Sequence, residues 1–178
     1  MFKSAEEAMK KLQDNWVTTL RELPPVVGDA AVNFTLDNFD RQAWLGNTTE
    51  KWQKRKKPTK RGKHDDEGRA LLVKTGELKR SIHRSRIVEN SVYIQAGGED
   101  APYAKVHNEG FRGAVRQKVK SHIRKTKDGK TQSVSEFERT IQNIPKRKFI
   151  GHESESPYLN AKIRQEAIEH IRNRMKTL

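Results

Sequence analysis

The sequence predicts an α+β fold, with helices at both ends of the chain and antiparallel strands between them. Three observations carry this. Apolar residues recur at spacings of three and four over residues 2–20 and 159–175, which is one face of a helix in each case. Residues 80–97 and 112–142 instead alternate apolar and polar side chains, the period of half-buried strands. A chain of 178 residues also suits one domain with excursions rather than two full domains. Residues 1–178 are therefore read as a single α+β domain.

In the first stripe, Phe2, Ala5, Met9, Leu12, Trp16 and Leu20 share a helical face, read as core or subunit contact. Ser4 supplies a cap, and Glu6 and Glu7 place acids in the first turn, where they oppose the helix dipole. Pro24-Pro25 is expected to stop this helix, because proline removes an amide donor and clashes with the preceding turn. A second helix is predicted from Gly28 to about Trp44, burying Ala31, Phe34, Phe39 and Ala43, with Gly46-Asn47 as its terminator. Residues 48–68 then read as a basic flexible loop.

Thr75 is expected to cap a short helical turn through Leu78, and Gly76 to allow close backbone approach there. Arg80–Glu89 and Ser91–Gly97 read as two strands joined at Glu89-Asn90, with Val92, Ile94 and Ala96 alternating against Tyr93 and Gln95. A loop from Gly97 to Pro102 leads into a short helix opening at Tyr103-Ala104-Lys105-Val106-His107. Residues 112–142 form a protruding hairpin that turns at Asp128-Gly129. Val115, Val119 and Ile123 share one of its faces, and Arg116, Lys118, Lys120, His122 and Arg124 the other. Pro145 ends the hairpin. The last helix runs from Pro157 to about Lys176, with Leu159, Ile163, Ala167, Ile171 and Met175 as its apolar stripe.

Charge is concentrated in two places. The chain carries 37 Lys and Arg against 23 Asp and Glu, a formal net charge of +14. Residues 51–63 hold eight basic side chains and no acid, and residues 112–150 hold twelve basic and three acidic. The remainder is slightly acidic. Basic clusters, rather than total charge, make an electrostatic footprint for polyanions. Lys54, Arg55, Lys56 and Lys57 in the loop, with Arg116, Lys118, Lys120 and Arg124 on the hairpin, are the candidate contacts. Few aromatic residues interleave with them, which argues against base stacking and for phosphates or an acidic protein surface.

Several classes are excluded. No apolar run approaches the ~18–20 residues that a membrane span requires. MFKSAEEAMKKLQ carries charge where a signal peptide needs an apolar stretch, so a soluble protein of the cell interior, or one assembled there, is expected. With no cysteine there is no disulfide, thiol nucleophile or Cys-based zinc site. His64-Asp65-Asp66-Glu67 offers metal-ligand types, but adjacent carboxylates point apart, and a solvated acidic turn is the reading. His107-Asn108-Glu109 lacks a nucleophile and a second positioned acid, and His107 is read as a hydrogen-bonding structural residue. Gly97-Gly98 lacks the context of a dinucleotide site, and no phosphate-binding loop is present. Neither an enzyme nor a cofactor is expected.

Three segments carry a resemblance: Leu72-Val73-Lys74-Thr75-Gly76-Glu77-Leu78-Lys79-Arg80-Ser81-Ile82, then Pro102-Tyr103-Ala104-Lys105-Val106-His107-Asn108-Glu109-Gly110, then Ile144-Pro145-Lys146-Arg147-Lys148-Phe149-Ile150-Gly151. In this order they resemble the virion-morphogenesis, or tail-completion, proteins of Mu-like phages and prophages. The resemblance spans roughly residues 34–175. It implies helices packed on a small antiparallel sheet, assembled as a ring, a hexamer, at the head–tail junction of the virion after synthesis in the bacterial host cytoplasm. The implied role is structural, with partners among neck, connector and tail-tube proteins, and double-stranded DNA passing close by. It also implies that Thr75, Gly76, Leu78, Ser81, Tyr103, Ala104, His107, Gly110, Pro145, Arg147, Phe149 and Gly151 set the fold. Among these, Gly76 would make a tight turn, Tyr103 and His107 sheet-to-loop hydrogen bonds, and Arg147 and Phe149 an anchor.

Overall fold

Residues 5–41 form one helix, α1 (Ala5–Arg41), in the computed structural model, which describes residues 4–55, 68–89, 91–126 and 128–176. Ser4 caps it as expected, its hydroxyl accepting the Glu7 amide at 3.2 Å. The predicted stop at Pro24-Pro25 does not occur, because both prolines lie inside the helix. Their missing amides leave the carbonyls of Leu20 and Arg21 without helical donors, but both residues are exposed, so water can serve them. Tertiary contacts hold the helix on either side. Glu22 is ion-paired to Arg174 before the prolines. After them, the Arg84 guanidinium donates to the Pro25 carbonyl at 2.8 Å and reaches Asp29 at 3.1 Å. This packing outweighs the ~3 kcal/mol propensity cost of each helical proline.

The predicted terminator is also displaced. Gln42, in the left-handed region with φ 53°, ends α1 and donates its amide to the carbonyls of Asn38 and Phe39. Gly46 instead turns the chain between β1 (Ala43–Leu45) and β2 (Thr49–Lys51). Trp44 therefore begins a hairpin rather than ending a helix.

Next comes α2 (Glu77–Arg80), capped at Gly76, with Thr75 one position too early for the expected cap. Arg80 and Ser81 close this turn, so the following strand, β3 (His83–Val88), starts later than the alternation implied. It pairs antiparallel with β4 (Ser91–Gln95), and this pair packs against α1. A short helix, α3 (Ala104–Glu109), follows the loop at Gly97.

Strands β5 (Phe111–Val119) and β8 (Phe137–Ile144) pair antiparallel, as do β6 (His122–Lys125) and β7 (Thr131–Val134). From Ala114↔Gln142 to Lys125↔Thr131 the register is constant, so the four strands make one continuous two-stranded ribbon. Its tip is closed by a Gly129 amide bonded to the Thr126 carbonyl. Apart from isolated contacts, no other described element packs on the ribbon.

The chain ends in α4 (Pro157–Lys176), which lies along α1. Ser156 starts it, its hydroxyl accepting the Leu159 amide at 3.0 Å, and Pro157 takes the first helical position. The two helices run antiparallel, with Lys162 paired to Asp37 near one end and Arg174 to Glu22 near the other.

The core has two parts. Phe39, Trp52, Leu71, Leu78, Ile82, Ala101, Ala104 and Phe149 form the larger, and Phe34, Trp44 and Leu159 the smaller. Aromatic rings knit the larger one together, with Phe39 5.0 Å from Phe149 and 5.3 Å from Trp52, centroid to centroid. Phe149 is wholly buried, so Phe149→Ala should destabilise the protein by about 3–5 kcal/mol in urea unfolding. Tyr158→Ala, on the exposed face of α4, should stay within ~0.5 kcal/mol.

Candidate functional site

The three motif segments converge on residues 145–151, an extended strap that crosses the larger core without joining a sheet. An extended segment in that position must find partners for its backbone elsewhere. They are supplied by α1, α3 and the segment after β2. The Arg147 amide donates to the His107 carbonyl at 2.8 Å, at the end of α3. The Trp52 indole N–H donates to the Lys148 carbonyl at 2.7 Å. Asn38, wholly buried on α1, donates from Nδ2 to the Phe149 carbonyl at 3.1 Å. The Asn108 side-chain oxygen accepts both the Phe149 and Ile150 amides, at 3.0 and 3.1 Å.

The strap's side chains add to this. Arg147 is buried and donates from Nε and Nη2 to the Gln53 carbonyl, at 3.1 and 2.9 Å. Burial, then the neighbouring Arg55 charge, lowers its pKa. Lys148 lies over the Trp44 ring at 4.8 Å and pairs with Glu155, while Gly151 lies against the same ring. Pro145, half-buried, leads into the strap from β8.

The other motif residues frame this crossing. Gly110 has φ +78°, and a side chain there would meet the Lys146 backbone at 2.9 Å, so only glycine lets the end of α3 pass under the strap. Gly76 has φ +80°, the tight turn that the resemblance implied, and a Cβ would strike Arg80. Leu78 is wholly buried and Ala104 nearly so. Ser81 bridges, donating to the Leu78 carbonyl and accepting the Gly97 amide, both at 2.8 Å. Thr75 is exposed.

Tyr103 and His107 bond through their backbones. The His107 amide donates to the Tyr103 carbonyl, and their rings meet edge to face at 5.7 Å. The His107 Nδ1 is buried without a hydrogen-bond partner among the described residues. Burial and then the Arg147 charge lower its pKa from the usual 6.5. This histidine is packed edge to face against Tyr103 and joined to the strap through its carbonyl. Among the described residues no group of three His, Asp or Glu side chains could hold a metal ion, and no helix is long and apolar enough to cross a membrane.

The described candidate polyanion contacts lie on two segments, the stretch of chain after β2 and the ribbon. Lys54 is exposed, but Arg55 donates to the carbonyls of Arg69 and Ala70, at 2.7 and 3.0 Å, and so fastens the two ends of its loop. Lys56, Lys57 and the His64–Glu67 acidic cluster lie outside the described residues. On the ribbon, Arg116, Lys118, Lys120 and Arg124 are all exposed. Lys118 pairs with Glu136 at 2.7 Å, and Arg124 donates to Gln132 across the strands. The basic row is thus partly answered by its own partner strand.

Sequence reasoning missed Asn38, Asn108, Trp52 and Ser156 as organising residues. Asn38 carried a signal: it is a polar residue between Leu36 and Phe39 on the apolar stretch of α1, where only a satisfied amide is tolerated. The others bond across 41 to 111 residues of sequence, which local periodicity cannot reveal. It also left open which way the first stripe of α1 faces. Met9, Leu12, Trp16 and Leu20 are two-fifths to two-thirds exposed.

The described residues thus form a small α+β body built around a buried strap. The phage virion morphogenesis family matches residues 1–172, and the chain belongs to that family. Comparisons with curated proteins and with solved structures give no match.

Because the folded His107 has a lowered pKa, the unfolded chain binds the extra proton first as pH falls. Its contribution to stability is complete above about pH 6.5 and is lost as pH drops from there towards the folded value. The lowered carboxyls of Glu22 and Glu155 act only below about 4.5. Urea midpoints should therefore fall between pH 7 and 5 in the native protein, and fall less in His107→Gln.

Proposed function

We propose that this virion morphogenesis protein is a non-catalytic ring component of the head–tail junction, completing the tail and joining it to the capsid. The observation that carries this is the combination of family membership with unburied apolar surface. Leu12, Trp16, Val17 and Leu20 on α1, with Ile123 and Phe137 on the ribbon, are exposed to an extent unusual for a monomer. Neighbouring copies and neck, connector or tail-tube proteins are the partners. Closed symmetric assembly is the common way to cover such surface, and six copies is the stoichiometry proposed.

A second reading rests on the ribbon charge. Arg116 and Lys120 are exposed with no ion pair among the described residues, which suits sequence-independent contact with duplex phosphates. It is compatible with the first, since a ring at that position surrounds the path of the DNA.

Light scattering with negative-stain imaging of the purified protein, alone and with tail-tube or neck protein, should show rings of about six copies. Persistent monomer in both conditions would contradict the ring. For the second reading, the log–log salt slope of duplex affinity should weaken by roughly two in the Arg116→Glu, Lys120→Glu double variant. An unchanged slope would exclude the ribbon from phosphate contact.

A further inference from the structure

The contacts between the helices stop short of the start of α1. Near the far end of α4, Asn15 donates from Nδ2 to the Arg174 carbonyl at 3.2 Å, and among the described residues beyond it Met175 lines a groove with Met9, Leu12 and Trp16. The first ten residues of α1, about 15 Å of helix, therefore overhang the body. Along this overhang and the next turn, Met9 is 66% exposed, Trp16 43% and Leu20 46%. A helix end whose wide apolar stripe meets little more than one methionine among the described residues is marginal in water.

A second unpartnered surface lies on the ribbon. Val119 and Phe137 face one another across the strands, and Ile123, four residues on, shares their side. Ile123 is 75% exposed and Phe137 45%. Two-stranded ribbons are marginally stable alone and gain most from a third element on the apolar face. Within this chain no such element is described.

We propose that the apolar face of the ribbon of one copy docks on the α1 overhang of the next copy. This rests on the ring reading above and names the contact that builds it. Three features select a second copy as the occupant. The two surfaces are different and both unsatisfied, which is the condition for head-to-tail assembly, where one patch meets another rather than itself. Their charges are opposite in sign: residues 5–20 of α1 carry three acids and two bases, and residues 111–144 carry nine bases and three acids. The area also fits. A stable interface buries ~1,600 Å² over both partners, and the exposed apolar side chains of the two surfaces supply part of it, leaving the rest for the flanking polar side chains. In a ring each copy uses both surfaces, so each interface is made once per subunit.

Because the chain has no cysteine, the contact can be read directly. Leu12→Cys and Ile123→Cys variants, mixed and oxidised, should give a cross-linked dimer containing one of each, at least tenfold above either variant alone. Trp44 and Trp52 are buried, so acrylamide quenching of the native protein reports Trp16. Quenching should fall as concentration rises through assembly, and should stay constant in Ile123→Glu. A dimer from Leu12→Cys alone would overturn the proposal by showing that the stripe pairs with itself. Rings that persist in Ile123→Glu with no mixed cross-link would overturn it while leaving the ring intact. A native protein that stays monomeric would remove the ring reading and this contact together.

Discussion

The body depends on one extended segment, set in the core, finding partners on other elements for its backbone groups from the Arg147 amide to the Ile150 amide. Residues 147–150 cross the core with no sheet to join, and buried peptide groups left unpaired cost about 1–3 kcal/mol each. The strap is tolerated because α1, α3 and the segment after β2 each aim a donor or acceptor at it: Asn38, Asn108, the His107 carbonyl and the Trp52 indole. Phe149 then fills the space between Phe39 and the short helices. Removing any one of these groups leaves its strap partner unpaired, so they are fixed together.

The sequence was most legible where a single element explains its own pattern. The Ser4 cap, the span of α4, the β3–β4 pairing and the turn at Asp128-Gly129 all follow from local spacing. It misled at Pro24-Pro25, where a sound local rule lost to packing on both sides of the break. It was silent on the strap, since Asn108 and Trp52 act over distances that no local window contains. Among the candidate contacts, Arg55 shows the same limit. Its place in a basic run suggested a polyanion, while the structure gives it two carbonyls to hold.

What lies outside the body is of another kind. The ribbon and the start of α1 contribute little to the core, yet they hold exposed apolar side chains and much of the charge. A fold selected for its own stability alone would gain by trimming them. Their presence suits the assembly proposed for this virion morphogenesis protein. On the proposed ring reading, the small core and the +14 charge have one origin: material set aside for contacts that a single copy does not complete.

Native-state hydrogen exchange read by mass spectrometry tests this division most directly. At low concentration, the amides of Arg147, Phe149 and Ile150 should be among the slowest, opening only with global unfolding. Ribbon amides should exchange far faster through local opening, and should slow together with the α1 overhang on assembly. Strap amides as fast as those of the ribbon would contradict the account, because the segment proposed to hold the body together would then be opening on its own.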